Sequence, residues 1–250
     1  MEIPGSVVVV TGAAHGVGLA VTRLLAERGA SVLAADADGD ALAAAASGLD
    51  PERFATHVCD LAGAEACAAL VAAAPARFGK LDAVVHAAGV RAARGSALLD
   101  LDDASYDASV GAGLRGAFFV NRAALKALTT QRRGELVNVA AVSGRKGRAQ
   151  DSLGSAAQAG VIGMTEALVE EVRAFGVRVQ CVIAPVALEL AGAEPAVGPP
   201  VPDERVAEAV LFCLGLPPDA CCENLVVQPF SGGRSRARKA APKAPPHAAG

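Results

Sequence analysis

The feature that most restricts the fold of this chain is an alternation. Short apolar runs recur along it, and between them lie longer stretches whose apolar residues fall at helical spacing. The runs are "SVVVVTG" (6–12), "SVLAAD" (31–36), "RFATHVCD" (53–60), "LDAVVHAAG" (81–89), "GELVNVAAVSG" (134–144), "VRVQCVIAP" (177–185) and "NLVVQP" (224–229). The helical stretches are 17–30, closed by Gly29, then 40–49 with Asp40 as its cap, 63–78 ending at Gly79, 102–130 as one helix or two, 154–175 and 203–215. A near-continuous apolar run reads as a strand buried on both faces, which is the strand of a parallel sheet covered by helices. The expected fold class is α/β, a Rossmann-type doubly wound parallel sheet of seven strands. It forms a single domain over 1–233. "AGAEPAVGPPVP" (191–202) is a Pro-rich loop. The tail 234–250 is basic, rich in Pro and Ala and without apolar period, so it is expected to be disordered. Its five basic residues leave a docking role and a solvated tail both open.

A chain of 250 residues fits one such domain, and its net charge of -3 gives no reason to expect nucleic acid or an anionic membrane as partner. No apolar run reaches the roughly 18 residues that span a bilayer. "MEIPGSVVVV" carries no recognisable export signal, so a cytoplasmic location is expected. The six cysteines (Cys59, Cys67, Cys181, Cys213, Cys221, Cys222) show no CxxC spacing and read as reduced thiols, with a redox or metal role for the vicinal pair as the sharper alternative.

Chemistry enters at "TGAAHGVG" (11–18), between the first strand and the first helix. Gly12, Gly16 and Gly18 let the backbone turn tightly and approach a pyrophosphate, and the helix start offers free N–H groups and a positive dipole end. Asp36, at the end of the second strand, stands where an acid holds a ribose diol and repels a 2′-phosphate, so NAD is expected over NADP. A plain strand–turn–helix with Asp36 as a loop cap is the bland alternative. His15 is an ambiguous neighbour.

With "CDLA" (59–62), "VVHAAGV" (84–90), "LRGAFF" (114–119), "GELVNVAAVSG" (134–144) and "VIGMTEAL" (161–168), the chain resembles the short-chain dehydrogenase/reductase family over residues 5–230. The resemblance implies that Asp60 lies near the adenine ring and that Ala87, Ala88 and Gly89 support the cofactor beside strand four. His86 stands where the family often has Asn and reads as a packed strand residue. The family's chemistry is hydride transfer, using a Tyr, a Lys four residues later, a Ser on strand five and an Asn on helix four. Those positions fall here on Gly154, Gln158, Ala141 and Gly113, so all four functional side chains are missing. Tyr106, the only Tyr, falls at a packing position. Ser143 lies two residues past Ala141, on the same side if the strand continues. Ser155 reads as a helix cap. Arg145, Lys146 and Arg148 offer an anion site or simply a solvated loop face. The family's Pro-Gly after strand six reads Pro185-Val186, and a Thr near the carboxamide reads Leu190, which leaves NAD binding weak or vestigial.

The expectation that follows is a catalytically degenerate protein without catalytic residues of its own, a non-catalytic subunit paired with an active short-chain dehydrogenase through 102–130 and 154–175. A charge at Val161 is expected to break that pairing. The alternatives are non-redox chemistry in the same cleft (cyclisation, elimination or isomerisation) and an atypical oxidoreductase.

Overall fold

Val7 to Val10 are almost wholly excluded from solvent in the computed structural model, on both faces of a strand. Each such valine contributes roughly 1.5–3 kcal/mol relative to exposure, which is why this run anchors the centre of a sheet. The structure describes residues 1–89, 96–185 and 201–230, leaving aside the side chains of 108, 111 and 112. Within them the strands are β1 (Val7–Thr11), β2 (Ser31–Asp36), β3 (Phe54–Val58), β4 (Ala83–His86), β5 (Gly134–Ala141), β6 (Val177–Ala184) and β7 (Asn224–Val226). They form one seven-stranded sheet in the order β3-β2-β1-β4-β5-β6-β7, with every pairing parallel. The expected doubly wound sheet is therefore present.

The helices are α1 (Gly16–Glu27), α2 (Gly39–Ala45), α3 (Ala64–Phe78), α4 (Asp103–Tyr106), α5 (Arg115–Gln131), α6 (Ser152–Val172) and α7 (Asp203–Gly215). Alternation along the strands divides the core into two layers. Val8 and Val10 pack with Val17, Val21 and Leu25 of α1 and with Val206 and Val210 of α7. Val7 and Val9 face the opposite layer, with Leu70 of α3, Val120 and Leu128 of α5 and Val169 of α6. At the amino end of the sheet Arg178 donates to Glu135 at 2.9 Å through Nε and to the carbonyl of Ala220 at 2.6 Å, which ties β5 and β6 to the approach to β7.

Several local readings change. The cap of α2 is Asp38, whose Oδ1 accepts from the N–H of Ala41 at 3.0 Å; Asp40 lies inside the helix. The 102–130 stretch is a continuous helix whose middle, Asp107–Leu114, is wound as a π-helix between α4 and α5. Its two glycines, Gly111 and Gly113, weaken the ordinary α register there. Tyr106, expected to pack, is 53% exposed at the end of α4. The apolar stripe of α6 faces its own sheet: Val161 is 4% exposed and clusters with Ile162, Cys181 and Ile183. A charge there strikes the fold, not a partner surface. The Pro-rich loop apart from Val201 and Pro202, the tail, Val186 and Leu190 lie outside the described residues.

Candidate dinucleotide and substrate cleft

β1 leads to β2 on one side and its other neighbour is β4, so the strand order reverses between β1 and β4. In such sheets ligands bind outside the carboxyl ends of the strands at that point. The glycine turn closes the β1 side. A Cβ on Gly12 would lie 2.7 Å from Ala88 Cα, and one on Gly18 would lie 2.0 Å from the carbonyl oxygen of Gly12. Both positions are therefore closed to any side chain, and the turn lies directly on the segment after β4. Gly16, at φ +52, begins α1, and a Cβ there would meet only Asp203 Oδ2, at 3.7 Å. α1 has no side-chain cap and no acid in its first turn, so its leading N–H groups are offered to a ligand. Gly12, Gly18 and Ala88 thus meet in a close-packed cradle, with Gly16 and the open start of α1 beside it and backbone N–H groups free to meet an anion.

Asp36 ends β2 and is fixed from two sides. Its Oδ2 accepts from the N–H of Ala14 at 3.1 Å, and its Oδ1 from the N–H of Asp38 at 3.1 Å. The carboxylate that the sequence assigns to a ribose is thereby tied to the glycine turn. Asp60, beyond β3, accepts from the N–H of Ala62 at 3.0 Å and is exposed. His15 meets Asp38 at 3.4 Å, both exposed, and the contact holds Asp38 below the usual carboxylate range together with the Ala41 N–H, which is the larger cause. Asp203, which sequence reading did not single out, lies beside the start of α1. It sits in another element 187 positions beyond Gly16, and no local pattern marks it.

His86 is a packed strand residue, as expected. It is 2% exposed, its Nδ1 lies 2.8 Å from Thr11 Oγ1, and burial pushes it down to about 4, so the ring is neutral at physiological pH. Four of the six cysteines are buried, and burial pushes the thiols of Cys181 and Cys213 up to about 12. Such thiols stay protonated and unreactive. Among the described residues no three His, Cys, Asp or Glu side chains gather as a metal site.

On the other side of the cleft, β5 ends at Ala141 and turns through Val142–Gly144. Gln158 of α6 is 4% exposed, and its Oε1 accepts from the N–H of Ala141 at 2.8 Å. Two of the four positions read from the sequence are thus brought together, by a structural clamp. Gly154 is buried in the first turns of α6, and Gly113 lies in the π-helical segment. The small residues of α6 have a packing reason. A Cβ on Gly160 would lie 2.8 Å from Leu114 Cδ2, and Ala157 packs on Val110 and Leu114. Gly144 approaches the backbone of Gln158 and Ala159 so closely that its own Cβ would lie 2.6–2.8 Å away. Ser143 is buried, but the strand has already ended, so strand alternation does not aim it; its hydroxyl has no partner among the described residues. Ser155 is not the cap: Asp151 precedes the helix, and Ser155 Oγ accepts from the N–H of Arg148 at 3.2 Å.

The sequence pattern of the family described as short chain dehydrogenase matches residues 6–191. The 3-oxoacyl-(acyl-carrier-protein) reductase FabG of Thermotoga maritima is 32% identical over 185 residues, covering 73% of this chain and 74% of its own. The cis-4-hydroxycyclohexanecarboxylate dehydrogenase of Sinomonas cyclohexanicum is 35% identical over 220 residues, covering 82% and 88%. A metagenomic short-chain oxidoreductase solved in complex with NADP superimposes with a TM-score of 0.79 at 27% identity, covering 93% of this chain and 100% of the other. These relatives are named as a reductase, a dehydrogenase and an oxidoreductase. That overturns the expectation of a catalytically degenerate, non-catalytic subunit.

Proposed function

This chain belongs to the short-chain dehydrogenase family, and from that premise we propose that it is a nicotinamide-dinucleotide-dependent oxidoreductase that prefers NAD to NADP. The observation that carries the reading is the cradle: Gly12 and Gly18 closed by backbone contact, the uncapped start of α1, and Asp36 tied to the same turn. A bound nicotinamide supplies a site for hydride exchange with a carbonyl or alcohol carbon. The chain's own part is to hold the dinucleotide, with Gly16 and the α1 N–H groups at the pyrophosphate, Asp36 at the ribose and Asp60 beside the adenine. The positions read as Gly113, Ala141, Gly154 and Gln158 carry no ionisable group, so proton exchange at the substrate oxygen falls to solvent water. Loss of a positioned acid/base group costs about 10² to 10⁴ in rate, so turnover is slow against an ordinary value of about 10 per second.

The test is transfer of deuterium from NADH dideuterated at C4 to a panel of α-diketones, whose carbonyls need little acid assistance and whose reduced carbon keeps the label as a C–D bond. Labelled product is expected. A folded protein that binds NADH yet transfers no label to any acceptor sinks the redox reading. Asp36→Ala is expected to narrow the NAD-over-NADP preference by about tenfold or more, since one unit charge facing the 2′-phosphate at a few ångströms is worth about 1 kcal/mol in water and about 4 kcal/mol near a surface.

For assembly we propose pairing with a second short-chain dehydrogenase chain through the outer faces of 102–130 and 154–175. The support is the exposed ring of Phe118, with Arg122 stacked 4.9 Å over it, and the small outer residues Ala156, Ala159 and Gly163 of α6. No helix of the described residues is long and apolar enough to cross a membrane; a cytoplasmic site of action accords with that and with six free thiols.

A further inference from the structure

The loop between β5 and α6 places three cations in four positions, Arg145, Lys146 and Arg148. Its backbone is pinned. The N–H groups of Arg145 and Lys146 donate to the carbonyl of Val142 at 3.0 and 3.1 Å, that of Arg148 to Ser155 Oγ at 3.2 Å, and that of Asp151 to the carbonyl of Arg148 at 3.3 Å. Gln150 holds φ +60, a left-handed conformation that a non-glycine residue adopts only when its surroundings impose it. None of the three cations has an ion-pair partner among the described residues, whereas Arg53, Arg173, Arg178 and Arg205 each meet a carboxylate. The loop's carboxylate, Asp151, is buried at its far end.

The place of this loop gives the charges a direction. The cleft opens between β1 and β4, and neighbouring strands stand about 4.8 Å apart. Asp36, Asp38 and Asp60 follow β2 and β3 on one side of the cleft; Arg145, Lys146 and Arg148 follow β5 on the other. The three cations therefore follow the strand on the far side of the cleft from Asp36, Asp38 and Asp60, while Asp100, Asp102 and Asp103 lie in the connection after β4. A dinucleotide whose ribose meets Asp36 extends its reacting end toward β5, so its substrate meets residues 145–148. We propose that residues 145–148 form an anion subsite that selects carbonyl substrates bearing a carboxylate or phosphate group. This rests on the oxidoreductase reading above for the word substrate, though not for the binding itself.

The experiment is calorimetry on the NADH-loaded full chain with two matched pairs: 4-oxopentanoate against its methyl ester, and dihydroxyacetone phosphate against dihydroxyacetone. At least one anion is expected to bind tenfold or more tightly than its neutral counterpart, with the preference shrinking as salt is raised. Whichever pair shows the larger preference assigns carboxylate or phosphate. A triple variant, Arg145→Ala with Lys146→Ala and Arg148→Ala, is expected to lose the preference while keeping NADH affinity and thermal midpoint; Arg148→Gln alone should lose part of it. Equal binding within both pairs, no binding of either anion, or a preference that survives the triple variant overturns the proposal. Hydride transfer without any preference for anions sinks this subsite and leaves the oxidoreductase standing. Anion binding that depends on the cations, with no hydride transfer, does the reverse.

Discussion

Gln158 shows how one buried side chain can hold two elements together. Its amide oxygen takes up the N–H at the end of β5, a donor that is otherwise buried beside α6. Gln158→Leu leaves that donor unpaired, so it is expected to lower unfolding free energy by about 1–3 kcal/mol, read as a shift of the urea midpoint. An unchanged midpoint would show that Ala141 finds another acceptor. Asp203 is the opposite case, a charge near the proposed site. Its Oδ2 lies by Gly16, where the proposed dinucleotide places its pyrophosphate, and like charges a few ångströms apart in water repel by about 1 kcal/mol. Asp203→Asn should therefore tighten NADH about threefold to fivefold by titration. Weaker binding in the variant would mean that Asp203 supports the cradle.

At the scale of elements, α6 presents two different faces. Val161, Ile162, Val169 and Val172 turn inward, while Ala156, Ala159 and Gly163 turn outward. Val161→Glu places an unpaired charge in the core, which costs several kcal/mol and should leave little folded protein. Phe118→Glu lies on the exposed face of α5 and should leave the far-ultraviolet spectrum and monomer stability unchanged while lowering the size-exclusion mass. A folded, fully assembled Phe118→Glu variant would remove that face from the interface. The π-helical segment belongs here too. Its last residue, Leu114, is met by Gly160 of α6 so closely that a Cβ there would not fit.

For the whole molecule, the centre of the sheet carries a pH dependence. His86 on β4 and Thr11 on β1 meet where the strand order reverses. The folded ring titrates near 4, against an ordinary value of 6.5, because burial disfavours its charged form. Between those values the unfolded chain binds a proton that the folded chain refuses, so stability is full above pH 6.5 and falls as the pH drops toward 4. The loss amounts to about 3 kcal/mol at its limit. Urea unfolding of the parent against His86→Asn across that window checks it: the variant's profile should be flatter by about that amount. Parallel profiles would place the acid sensitivity elsewhere.

The alternation of apolar runs and helical stretches determined the parallel sheet, its seven strands and the glycine turn, because periodicity and tight-turn chemistry are local and survive in any context. Asp36 was legible for the same reason, at the end of its strand a fixed distance past the glycines. Tertiary packing decided what local pattern does not carry: that Asp38 and not Asp40 caps α2, that Val161 faces inward, that Gln158 holds Ala141, and that Asp203 reaches Gly16 from far along the chain. Each depends on which elements meet. The three cations of residues 145–148 were visible in the sequence as charge alone. Their place, across the cleft from Asp36 and Asp60, comes from strand order, which puts β5 beside β4 and β2 on the far side of β1.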